Sequence, residues 1–196
     1  MINLTPQAEK ILQERYFLRN EKGEVIEDAE GMFKRVAVAV AQAETHPGGW
    51  HYKFYDMMAD LKFLPNSPTL MNAGTHAGSL SACFVLPLED SMEDIMKTAR
   101  DMAITEKFGG GVGVSLSKLR AKGSPIKTTQ GVACGPIQVL RMLSSVGSMI
   151  TQGGKRDGAH MAMMRCDHPD LFEFLSCKDE GGITNFNISV IATDEF

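Results

Sequence analysis

Asn66–Ser91, NSPTLMNAGTHAGSLSACFVLPLEDS, holds the decisive reading of this chain. It sets a Pro68-Thr69 turn, a glycine-rich connection through Gly74 and Gly78, and then a lone cysteine at the mouth of an apolar run, Cys83-Phe84-Val85-Leu86. An acidic corner, Glu89-Asp90-Ser91, follows at once. The nearly all-apolar segment Ser81–Leu86 predicts a strand covered on both faces, as in parallel sheets. A thiol on a rigid strand beside a polar, backbone-rich loop can be aimed at a ligand, and it can donate electrons by forming a disulfide. The competing reading makes Cys83 a small core residue, since free cysteine is among the most buried residue types.

Downstream, glycine punctuation separates alternating strand and helix patterns. Ser91 can cap a helix, with Asp94 completing a capping-box spacing, and Ile95, Ala99 and Met102 give that helix a buried stripe. Gly109-Gly110-Gly111 ends it, and Val112–Leu116 reads as the next strand. Gly135-Pro136 opens a helix reaching about Ile150. Gln152-Gly153-Gly154-Lys155-Arg156-Asp157-Gly158 reads as a loop, Asp167-His168-Pro169 as the start of a short helix through Leu175, and Ile183–Ile191 as a closing strand. Strand–helix–strand order with crossovers of this length implies parallel pairing, in an α/β layer or barrel.

Upstream, residues 1–64 read as a helical domain and 65–196 as the α/β part. Thr5-Pro6 is a helix start, with Ala8, Ile11, Leu12 and Tyr16 on one face. A second helix is expected from Ala29 to about Glu44, with Met32, Phe33, Val36 and Val40 inward and His46-Pro47-Gly48-Gly49 as its stop. A short aromatic helix, Tyr52–Leu61, closes the region, and Trp50 reads as a packing anchor.

Composition bounds the function. The 196 residues are 43% hydrophobic and 22% charged, enough for a real core. The net charge of -4 argues against a nucleic-acid binder relying on a broad basic surface. Cys83, Cys134, Cys166 and Cys177 show neither CxxC nor metal-ligand spacing, so no structural zinc is expected. MINLTPQAEK lacks a signal-peptide apolar core, and no later run is long enough to span a bilayer. The chain therefore reads as cytoplasmic, with reduced thiols.

Three features carry chemistry with open alternatives. In the last strand Asn185, Asn187 and Ser189 alternate with Phe186, Ile188 and Val190. That polar row lines a wet cavity or sits on an exposed edge. Gly109–Gly113 leads from helix into strand, the reverse of a dinucleotide-binding turn. It is a helix cap with a tight turn, or a place where backbone approaches a ligand closely. The Gln152–Gly158 loop, with Lys155 and Arg156, is the better anion candidate, against the alternative of a solvated surface loop.

Taken together, NSPTLMNAG, SACFVLPLEDS, KFGGGVGVSLSKLRAKGSPIK, TQGGKRDGAHM and GGITNFNISV resemble consecutive motifs of the ribonucleotide reductase catalytic (large) subunit, in the family's order. The opening ILQERYFLRNEKGEVIED, with NSPTLMNAG and NFNISV, is most similar to the adenosylcobalamin-dependent branch, class II. The resemblance covers nearly the whole chain as an N-terminal portion. It implies a helical N-terminal domain followed by the first part of a ten-stranded α/β barrel. It also implies a role in making deoxyribonucleotides for DNA synthesis.

The resemblance assigns roles. Cys83 matches one of two thiols that reduce the ribose and become a disulfide. Thr69, Ala82 with Cys83, and Gly111 match substrate contacts, although relatives often carry serine where Ala82 stands. Asp90, Ser91, Met92, Arg120 and Lys127 match a specificity site where a deoxynucleoside triphosphate binds at a homodimer interface. Gln152, Lys155 and Arg156 lie on the matching loop that relays effector identity. Cys134, Cys166 and Cys177 match no catalytic position and are taken as structural.

The family's Asn-Pro-Cys-Gly-Glu type radical motif has no match here, nor do the second reducing cysteine, the C-terminal shuttle cysteines or the cobalamin-holding regions. The chain is therefore expected to be a fragment, a split-gene product or a truncation, completed by the remaining C-terminal half of the reductase. In the implied chemistry a thiyl radical on the missing cysteine takes the ribose 3′ hydrogen. The 2′ hydroxyl then leaves as water, and the Cys83 thiol pair supplies two electrons that a thioredoxin-type reductant restores. A metal-radical class I large subunit and a non-catalytic nucleotide-binding dimerisation module are the alternatives.

Overall fold

Thr5 starts the first helix as its sequence predicts: its hydroxyl accepts a hydrogen bond from Ala8 N, and Pro6 takes the first turn. The computed structural model describes residues 2–152, 156–157, 159–179 and 181–196, with the backbone alone at 151, 152, 156 and 157. The chain divides into two compact units, Met1–Ala82 and Cys83–Phe196.

The first unit holds four helices: α1 (Pro6–Arg15), α2 (Ala29–Ala41), α3 (Pro47–Ala59) and α4 (Ser67–Asn72). Met32, Phe33, Val36 and Ala37 of α2 form the core with Phe17, Met58, Leu70 and Ala73. Two sequence readings change here. His46-Pro47-Gly48-Gly49 begins α3 instead of merely ending α2, because proline, lacking an N–H, fits a helix's first turn. The Pro68-Thr69 turn is part of α4, with the Asn66 side chain accepting from Thr69 N as its cap.

The Arg35 guanidinium pairs with Glu27 at 2.7 Å and donates to the carbonyls of Leu70 and Ala73. That tie fastens α4 to α2. The division accordingly falls at Ala82/Cys83, later than the composition shift at 64/65.

The second unit runs β1 (Cys83–Leu86), α5 (Met92–Lys107), β2 (Gly111–Ser115), α6 (Pro136–Met149), β3 (Thr151–Gln152), β4 (Arg156–Asp157), β5 (His160–Arg165), α7 (Leu171–Leu175) and β6 (Phe186–Ile191). β3 and β4 form a short antiparallel pair within what reads as a loop. The other four strands make one sheet, ordered β1-β2-β5-β6 and parallel throughout. β5, HMAMMR, is not legible as a strand from its residues: methionine and alanine favour helix, and no β-branched residue marks it. α7 starts at Leu171, after the Asp167-His168-Pro169 turn.

Strand alternation and register give the sheet two unlike faces. Val112, Val114, Ala162, Met164 and Phe186 are buried in a core with Ala99 and Met102 of α5 and Leu140 and Leu143 of α6. The other face is exposed or half-buried on every strand. β1 was expected to be covered on both sides, yet Val85 is 79% exposed. α5 and α6 pack on one face, and no described helix of this second unit covers the other. No helix of the described residues is long and apolar enough to cross a membrane.

One polar pair is sealed inside this core. His160 Nδ1 accepts from Val112 N at 3.3 Å, and His160 Nε2 lies 2.9 Å from Glu106 Oε1, with both side chains fully buried. Because Nδ1 accepts, the ring is neutral and its proton lies on Nε2, facing the Glu106 carboxyl group. Removing one member leaves buried polar atoms of the other without their neighbour. We expect His160→Ala to destabilise the chain by about 1–3 kcal/mol. A denaturant midpoint unchanged by the substitution would contradict that.

Candidate functional site

Cys83 is the first residue of β1 and is exposed, which removes the core-residue reading. Cys177 offers the contrast: it packs in the core, and burial pushes its thiol up. Cys134 is exposed and Cys166 half-buried, so of the three cysteines taken as structural only Cys177 belongs to the core.

The parallel register sets Cys83 opposite Gly111 and Val85 opposite Gly113, whose own partner is Met161, itself opposite Asn187. One row on, Ser115, Met163 and Ser189 are aligned. All of these residues lie on the open face. The thiol therefore stands beside a glycine that adds no side chain, on a face that also carries the Asn187 amide and the Ser189 hydroxyl. Asn185, expected in the same polar row, is instead bonded to α6: Ser144 Oγ donates to its Oδ1 at 2.6 Å, and its Nδ2 donates to Ser144 O at 2.9 Å.

The glycine cluster ahead of β2 resolves into separate duties. Gly109, with φ of 88°, turns the chain out of α5 as its left-handed cap. Gly110 is packed so closely that a Cβ there would lie 2.7 Å from the Phe84 ring and 2.8 Å from Thr105 Cγ2. Close packing and strand entry thus account for these glycines, and Gly111 is the one placed next to Cys83.

Thr69 and Ala82 belong to the first unit. The Thr69 hydroxyl donates to Leu80 O at 3.0 Å, and Asn72 Nδ2 donates to Ser79 O at 2.8 Å. The polar residues of NSPTLMNAG thus hold the connection that leads to Ala82.

A charged cluster follows the carboxyl ends of β1 and β2, the end of a parallel sheet where ligands commonly bind. Arg120 Nε donates to Asp90 Oδ2 at 2.6 Å, and Arg120 N donates to Asp90 Oδ1 at 3.2 Å. Lys118 pairs with Glu89 next to it. Ser91 caps α5, accepting from Asp94 N at 3.1 Å and donating to the Asp94 carboxylate at 2.7 Å. Met92 is 68% exposed. Lys127 is exposed on the hairpin bridged by Pro125 and Val132, and no bond joins it to the Asp90–Arg120 pair among the described residues. In the loop expected to bind anions, Gln152 pairs with Arg156 through the backbone, and Lys155 lies outside the described residues.

Comparison with known proteins decides the family. Residues 81–196 match the family model described as "Ribonucleotide reductase, barrel domain", and residues 2–78 match "Ribonucleotide reductase, all-alpha domain". The chain belongs to the ribonucleotide reductase family. Its helical unit is the reductase all-alpha domain, and its parallel sheet is the start of the reductase barrel, as the motif resemblance implied.

Among reductase relatives, a vitamin B12-dependent ribonucleoside-diphosphate reductase of Thermoplasma acidophilum is 42% identical over 98% of this chain and 25% of its own length. One from Mycobacterium tuberculosis is 41% identical over 100% of the chain and 29% of its own length. A ribonucleoside-diphosphate reductase large subunit of Arabidopsis thaliana is 36% identical over 86% of the chain and 21% of its own length. The chain thus spans between a fifth and three-tenths of the length of these reductases.

Proposed function

We propose that this chain is the N-terminal part of a vitamin B12-dependent ribonucleoside-diphosphate reductase, supplying one reducing thiol and much of the effector-specificity site. The observation that carries the reading is Cys83, exposed at the start of β1 and opposite Gly111 on the open face. A ribose must come within ångströms of a reducing thiol, and a glycine neighbour leaves room for it. Thr69 and Ala82 join as substrate contacts on the motif resemblance.

The reaction balances over two thiols. The ribonucleotide loses its 2′ hydroxyl as water, C2′ gains hydrogen, and two thiols give up two protons and two electrons to become a disulfide. Cys83 is one of them, and the other is supplied by the rest of the enzyme. A thioredoxin-type reductant returns the disulfide to thiols by exchange.

Adenosylcobalamin, when bound, supplies radical generation. None of the family's cobalamin-holding regions has a match in this chain. We therefore assign the cofactor to residues of the complete enzyme beyond this chain. The higher identity to B12-dependent relatives than to the Arabidopsis large subunit favours class II over class I. Loss of activity on cobalamin removal, with no separate radical-generating subunit required, is the expected result.

The effector reading rests on Arg120, a guanidinium suited to phosphate. Met92, Met96 and Ile104 add an exposed apolar stripe to α5, at 68%, 54% and 45% exposure. Such a stripe on the effector-site helix supports a homodimer built on α5 and α6.

Alone, the chain is expected neither to reduce ribonucleotides nor to hold adenosylcobalamin tightly. β1 and β6 are both edge strands, and unpaired parallel edges recruit other strands. The isolated chain should therefore be oligomeric or aggregation-prone by light scattering. Assays of the purified chain with adenosylcobalamin, dithiothreitol and ribonucleoside diphosphates, with and without the completing polypeptide, test the reading. Deoxynucleotide formation by the chain alone would overturn it.

A further inference from the structure

The turn Asp167-His168-Pro169-Asp170 joins β5 to α7, and its sequence spacing suggested only a helix start. In the structure it reaches back across the fold to the segment carrying Arg120. His168 is buried, with Nε2 2.8 Å from Leu119 O and Nδ1 3.1 Å from Asp170 N. A backbone N–H can only donate, so Nδ1 is the acceptor and Nε2 carries the proton given to Leu119 O. Asp170 Oδ2 in turn accepts from Lys122 N at 2.8 Å.

The backbone on both sides of Arg120 is therefore bonded to this one turn, through the Leu119 carbonyl and the Lys122 amide. Arg120 N is bonded to Asp90. The Leu119 side chain is buried in the core beneath. What remains free to exchange partners is the Arg120 side chain, which lies on Asp90 and is 39% exposed.

We infer that His168 is a positioning residue of the effector site, acting through Leu119 to hold Arg120 where its guanidinium can pass from Asp90 to an effector phosphate. The inference rests on the reading of Arg120 as a phosphate contact. Its physical basis is pre-organisation: an arginine on a fixed backbone loses less freedom on binding an anion than one on a loose loop. Both imidazole nitrogens are needed, one donating and one accepting. A glutamine carries its amide N–H about as far out as Nε2 and can give to Leu119 O, but its amide oxygen lies too far out to accept from Asp170 N as Nδ1 does.

The test is a double-mutant cycle in the complete reductase, read as the equilibrium dissociation constant for dTTP. His168→Ala is expected to weaken dTTP binding about tenfold, and His168→Gln to recover most of that loss by restoring the Leu119 bond. In an Arg120→Ala background, His168→Ala should then have little further effect. A purely structural role would weaken binding equally in both backgrounds, and that result, or unchanged affinity in His168→Ala, overturns the inference. If His168→Ala does not fold, the same cycle is run with His168→Gln and His168→Asn: equal, Arg120-independent losses again overturn it. Unchanged dTTP binding in Arg120→Ala alone would instead refute the reading of the effector site itself.

Discussion

Cys83→Ser in the complete enzyme is expected to end sustained deoxynucleotide formation, lowering turnover by roughly 10³-fold or more, the scale seen when an indispensable reacting group is lost. Serine keeps the size and polarity of the side chain but forms no disulfide, so the two-electron balance fails. Cys83 is exposed, so the substitution should change stability by no more than about 0.5 kcal/mol, and lost activity cannot be blamed on unfolding. Multi-turnover assays with a thioredoxin-type reductant check this. Turnover by the serine variant at the normal rate would remove Cys83 from the chemistry.

Arg120→Ala should weaken dTTP binding to the complete enzyme tenfold to a hundredfold. A hydrogen bond to a charged group is worth about 1.5–3 kcal/mol, and each ~1.4 kcal/mol is a factor of ten in affinity. The ion pair with Asp90 does not obscure the result. Its side chains are 39% and 32% exposed, and pairs of that kind contribute about 0–1 kcal/mol to stability. Equilibrium dialysis with dTTP is the measurement, and unchanged affinity removes Arg120 from the site.

Local chemistry explains which parts of the structure were legible in the sequence. Ser91, Gly109 and Gly135-Pro136 bound their helices with cap and turn residues, so α5 and α6 could be read nearly to the residue. The parallel pairing followed from crossover lengths. β5 escaped because Met161, Ala162, Met163 and Met164 carry no strand preference; it becomes a strand by pairing with β2 on one side and β6 on the other. His46-Pro47-Gly48-Gly49 was read as an end because proline and glycine stop one helix as readily as they start the next.

The site divides along the same line. Cys83 was visible as a thiol at a strand start, but its exposure depended on which face α5 and α6 cover. The Asp90–Arg120 pair joins residues 30 positions apart. The His160–Glu106 and His168–Leu119 contacts span 54 and 49 positions, and no spacing rule in a single sequence reports such partners. Asn185 shows the limit of periodicity: alternation put it with Asn187 and Ser189, and bonds to Ser144 drew it to α6.

The central claim is that Cys83 is a redox thiol consumed once per ribonucleotide reduced. Its most direct test is a single turnover of the pre-reduced complete enzyme without external reductant, followed by quenching, alkylation and peptide mass spectrometry. The expected result is one Cys83 lost from the alkylated pool, as a disulfide, for each deoxynucleotide formed, while Cys177 stays reduced. Deoxynucleotide formed with Cys83 still fully alkylated would contradict the account.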